Sequence, residues 1–82
     1  MSLLEEEPFN VYKSRIEQAY YLTLVDVIMG VPLEDIEQEI YKYEQEEMYE
    51  YCEGIVRALE FSEDKKYSEI QKEVLNLKSK YE

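Results

Sequence analysis

The side chains best placed to do chemistry are carboxylates, tyrosines and one thiol. Glu44 and Glu47 fall on the same helical side as Ile40 and Tyr51, with Glu37 at its inner edge. Carboxylates facing into a helical bundle can hold a metal cluster, but such sites normally add histidines at helical spacing. The chain has no histidine. An all-oxygen calcium or magnesium site would call for a loop of alternating acids and glycine, and no such loop occurs. Glutamate is almost never fully buried unless paired. Glu44 and Glu47 are therefore expected to reach solvent or to pair with a base, and Arg15 is that base. A carboxylate metal-binding bundle is the weakest reading, and no metal or cofactor is expected.

Nine tyrosines are spread along the chain. Without basic neighbours they are not platforms for stacking nucleobases; most suit the half-wet edges of helix packing. Tyr49 differs, because it falls opposite the apolar side of its segment and has no core reason to be there. Cys52 lies beside Met48 and Ile55 and reads as a small core hydrophobe, since a reactive thiol needs a cation or base nearby. Gly54 and Ala58, four residues apart, form a flat place where another helix can come close. The stretch Gly30-Val31-Pro32-Leu33-Glu34-Asp35-Ile36 resembles the start of the second helix in helix-turn-helix repressors. After it come Glu39, Glu44, Glu46, Glu47 and Glu50 with Lys42 alone among them, the wrong chemistry for a recognition helix. No phosphate loop, nucleophile elbow or zinc motif is present, so an enzyme is not expected.

The elements that carry these residues are set by periodicity. Phe9, Tyr12, Ile16, Ala19, Thr23 and Val27 step by three and four, predicting a helix over 9–29 after a flexible lead-in at 1–8. Its second half, Tyr20 to Met29, is apolar nearly all round, as in a helix surrounded by protein. Gly30 supplies the left-handed residue that ends this helix, and Pro32 starts the next. Leu33, Ile36, Ile40, Tyr43, Met48, Tyr51, Ile55 and Leu59 then predict one long helix over 32–60, with Tyr41–Glu47 as the place for any kink. Tyr67, Ile70, Val74, Leu77 and Tyr81 predict a third over 64–81, capped by Ser62 or by Ser68 with Gln71. The expected fold is all-α: a single domain of three helices, the first two forming an antiparallel hairpin. That hairpin pairs Ile28 with Leu33, Tyr21 with Ile40, and Arg15 with Glu44 and Glu47.

Composition bounds the rest. Eighty-two residues make a marginal core. One cysteine excludes an intrachain disulfide, which leaves self-association as the remedy. The net charge is −11, divided as −3 over 1–29, −8 over 30–61 and zero over 62–82. Such a surface repels nucleic acid and anionic membranes and favours a basic or apolar-grooved protein partner. No membrane span or signal peptide is legible, so a cytoplasmic location is expected. The expected function is a non-catalytic interaction, adaptor or regulatory module that also forms a homodimer. Its binding strip is Tyr41, Met48, Cys52 and Leu59, with Tyr49 as a further contact. The alternative is an acidic mimic that occupies the nucleic-acid site of a basic protein.

Overall fold

A computed structural model describes the backbone of residues 2–81 and the side chains of residues 15–79. Among these residues the chain is all-helical: α1 (Ser2–Ile28), α2 (Leu33–Gln45), α3 (Tyr49–Ser62) and α4 (Tyr67–Tyr81). No helix among them is long and apolar enough to cross a membrane. The expected lead-in at 1–8 is replaced by helix from Ser2 onward. Phe9 and Tyr12, placed on the inner side of the first helix by their spacing, lie outside the described side chains.

The main correction concerns the long helix over 32–60, which is two helices. Glu47 has φ 60°, the left-handed conformation. The amide of Met48 donates to the carbonyl of Tyr43 at 2.8 Å, and that of Glu47 to Glu44 at 3.0 Å. This paired pattern is the Schellman motif. The end of α1 repeats it: Gly30 has φ 87°, Val31 donates to Asp26 at 3.0 Å, and Gly30 to Val27 at 3.2 Å. A glutamate in this position costs about 1–2 kcal/mol relative to glycine. A continuous helix would instead stack Glu44 over Glu47 and Glu46 over Glu50, like charges at repulsive spacings.

The break lets α2 fold back on α3. Rings of Tyr43 and Tyr51 lie 5.2 Å apart, the Cys52 thiol donates to the Ile40 carbonyl at 3.5 Å, and Ile36 and Ile55 share one buried cluster. Early residues of α2 meet late residues of α3, so these two helices form the antiparallel hairpin. The expected hairpin of the first two helices is not formed, because the principal partner of α1 is α3. Ile16 meets Gly54, Ala19 clusters with Ile55 and Leu24 with Ala58, so α1 and α3 run in the same sense. The close approach read from Gly54 and Ala58 is real: a Cβ on Gly54 would lie 2.4 Å from the Ile16 carbonyl oxygen and 2.6 Å from the Ala19 Cβ. With α2 turned away, the expected ion pair of Arg15 with Glu44 or Glu47 does not form. Ion pairs among the described residues are Arg57–Glu53 and Lys65–Asp64.

Helix α4 packs along α1 beside its contact with α3. The Tyr67 hydroxyl donates to the Ile28 carbonyl at 3.3 Å and Tyr20 donates to Glu73 at 3.3 Å, fixing an antiparallel register. Ile70 closes a cluster with Leu24 and Ala58. Neither serine caps α4. Its start at Lys66 is held by Glu69, whose carboxylate accepts from the Lys66 amide at 2.9 Å, the reach-back half of a capping box. Ser62 instead ends α3, its hydroxyl donating to Leu59 at 3.2 Å.

Two glycine exchanges of opposite sign test this arrangement. Gly54→Ala is expected to destabilise by about 3 kcal/mol, at the upper end of overpacking costs, because the obstacle is backbone. Glu47→Gly is expected to stabilise by about 1 kcal/mol by removing left-handed strain. Urea denaturation measures both. A Gly54→Ala protein within about 0.5 kcal/mol of the parent would rule out the tight crossing.

Candidate partner-docking site

The apolar segment Tyr20–Met29 is surrounded on only part of its circumference. Leu24 and Thr23 are buried against α3 and α4, but Leu22 is 52% exposed and Met29 is 76% exposed. Leu22, half-buried Val25 and Met29 succeed Gln18 at steps of four, three and four, so they share one outer side of α1. These four side chains are uncharged, on a chain of net charge −11, with Arg15 one step before Gln18 and Asp26 along one edge. Periodicity misses this stripe, because a segment apolar all round reads as interior. The signal is present all the same, since three short helices cannot cover such a segment all round.

Beside the stripe, a cleft of about 310 Å³ separates α1 from the α2–α3 hairpin. Gln18, Leu22, Thr23 and Asp26, one to two turns apart, line it from α1. Glu39 and Tyr43 enter from α2, Met48 from the turn, and Tyr51 and Ile55 from α3. Ala19, Leu22, Met48 and Ile55 are its apolar lining and Tyr43 and Tyr51 its aromatic lining. Its carboxylates are Asp26 and Glu39, on opposite walls. Burial pushes the Tyr43 hydroxyl above its ordinary range, and the charges of Glu39, Tyr51 and Glu46 add to this.

The residues expected to form one binding strip are scattered. Tyr41 is exposed in a shallow hollow on the outer flank of α2, shared with Glu34, Glu37 and Glu44. Tyr49 is exposed, on the same side of α3 as Glu53 and Val56. Met48 belongs to the cleft. Cys52 is buried against α2, and Leu59 packs on the cluster of Ala19, Ile36 and Ile55. The structure thus brings Met48 to a recess of the surface, buries Cys52, and leaves Leu59 half-buried against the core. Glu37 and Glu44 reach solvent, and Glu47 serves as the turn residue. Among the described residues, no three Cys, Asp or Glu side chains converge as a metal site would require.

The perturbed groups are held in their protonated forms. The Cys52 thiol is raised by burial and by Glu44, which disfavours the reactive thiolate. Tyr20 is pushed up to about 12 by burial, by the charge of Glu73 and by their hydrogen bond. No family model, curated protein sequence or solved structure matches the chain.

Tyr20 supplies a pH prediction. Its folded form holds the proton more tightly than the unfolded one, so its contribution is complete below pH about 10. The contribution is lost as pH rises through the folded value of about 12. Tyrosinate absorbance should show a late alkaline step, and Tyr20→Phe should abolish it and flatten the loss of stability over that window. Persistence of the late step in Tyr20→Phe would refute the assignment.

Proposed function

We propose that this chain is a small, acidic, non-catalytic interaction module whose first partner is a second copy of itself. The observation that carries the reading is the uncharged stripe of Gln18, Leu22, Val25 and Met29. Two chains of like charge repel wherever their glutamates face each other. They can approach through a side that carries none, and α1 offers that side with side chains that gain from burial. A two-fold axis crossing α1 makes the stripe complementary to itself. It replaces the expected strip on the second helix, whose Cys52 and Leu59 are already used inside the monomer. A single helix side is a small contact beside the roughly 800 Å² per partner of stable complexes, and the dimer proposed is accordingly a weak and regulable one. An adaptor or regulator suits such an interface.

A second reading rests on the hollow around Tyr41. Glu34, Glu37 and Glu44 share that outer flank of α2, a row of carboxylates such as a nucleic-acid mimic presents to a basic protein.

Sedimentation velocity at micromolar concentration tests the dimer. The 9.9 kDa chain should sediment as a monomer–dimer mixture, with the dimer gaining as salt screens the repulsion. Met29→Glu should weaken association by at least about tenfold without altering the helical circular dichroism. A monomer at both low and high salt would overturn self-association through α1.

A further inference from the structure

We infer that the cleft between α1 and the α2–α3 hairpin is a second docking site, and that its occupant is a basic amphipathic helix of another protein. The inference rests on reading the chain as an interaction module, and its surface shares only Gln18 and Leu22 with the dimer stripe, leaving Val25 and Met29 outside it. Three observations select this occupant. The recess lies between a helix and a helical hairpin and its lining includes the apolar side chains of Ala19, Leu22, Met48 and Ile55, the setting in which an apolar anchor side chain of a docked helix is buried. The ionisable side chains on its walls, Asp26 and Glu39, are both carboxylates. They stand on opposite sides of the recess, where lysines or arginines flanking an anchor would meet them. Finally, the Tyr43 and Tyr51 rings, 5.2 Å apart, offer aromatic faces that attract a guanidinium or ammonium group.

Electrostatics extends the selection beyond the walls. Residues 30–61, the segment that forms the hairpin, carry a net charge of −8, which steers a cationic helix towards the cleft and repels an acidic one. A second copy of the chain is disfavoured here for the same reason, so the stripe and the cleft sort partners by charge. The stripe takes a like-charged copy through apolar contact alone, and the cleft takes an oppositely charged helix.

The test uses the intact protein and two fluorescein-labelled synthetic helices with leucines along one side. One carries lysines at the flanking positions and the other carries glutamates. Anisotropy should show the lysine helix binding and the glutamate helix not binding. Affinity should fall by roughly tenfold or more between about 50 mM and about 500 mM salt. Glu39→Lys, at an exposed position, and Asp26→Asn, a near-isosteric change at a half-buried one, should each weaken the lysine helix, whereas Met29→Glu should leave it unchanged. Amide chemical-shift changes should centre on Leu22, Glu39, Tyr43 and Tyr51. Equal binding of both helices would overturn the inference, as would shifts centred on Glu34, Glu37 and Glu44 or indifference to Glu39→Lys. If the lysine helix does not bind while the Met29-dependent dimer persists, this site is refuted and the dimer stands. Absence of both would refute the interaction module itself.

Discussion

The backbone approach of α1 to α3 at Gly54 sets the rest of the structure. With no side chain at Gly54, the α1 backbone at Ile16 and Tyr20 sits within what would be the space of a Cβ. Two helices that close leave no room for another element between them. Ala19 and Ala58 continue the small-residue contact, and the larger Leu24 and Ile55 then close the core on either side of it. Because α3 occupies this side of α1, α2 packs along α3, and α4 takes the neighbouring side of α1, where Ile70 reaches both Leu24 and Ala58. The outer stripe of α1 is what remains after both neighbours are placed.

The turn at Glu46–Met48 makes that arrangement possible, and its energetics favour the break. Left-handed strain at Glu47 costs about 1–2 kcal/mol. Each large apolar side chain moved from water into the interior returns about 1.5–3 kcal/mol, and the fold-back buries Ile36 and Ile55 almost completely. Relief of the glutamate repulsions acts in the same direction. The net balance favours two short helices over one long one, even without a glycine at the turn.

Much of this is legible in the sequence, and the failures have physical causes. Gly30 and Pro32 mark the first turn correctly because glycine and proline are strong local signals. Gly54 and Ala58 mark a close crossing, although not which helix fills it. The second turn falls within Tyr41–Glu47, the place marked for a kink, but the full break is not legible, because glutamate is a good helix former and nothing local announces that Glu47 will adopt a positive φ. Its trace is the five-residue step from Tyr43 to Met48, across the polar run Glu44-Gln45-Glu46-Glu47. On an intact helix that run looks like candidate chemistry, whereas it is the place where the helix ends. The pairing errors have the same origin: with a long second helix, Arg15 meets Glu44, and without it the two are not paired. The cleft is illegible for the same reason, since its walls come from three elements whose arrangement depends on the turn.

The functional account inherits that dependence. Stripe and cleft exist only if α1 lies on α3 and α2 is folded back, which leaves Leu22 exposed and brings Met48 to the cleft. Proton–proton nuclear Overhauser effects in the isotope-labelled native chain test this most directly. The account predicts strong effects from the Gly54 α protons to the Ala19 methyl group, together with effects between the Tyr43 and Tyr51 rings. Effects linking Tyr21 to Ile40, with none between Gly54 and Ala19, would instead describe a continuous second helix paired with the first and would contradict it.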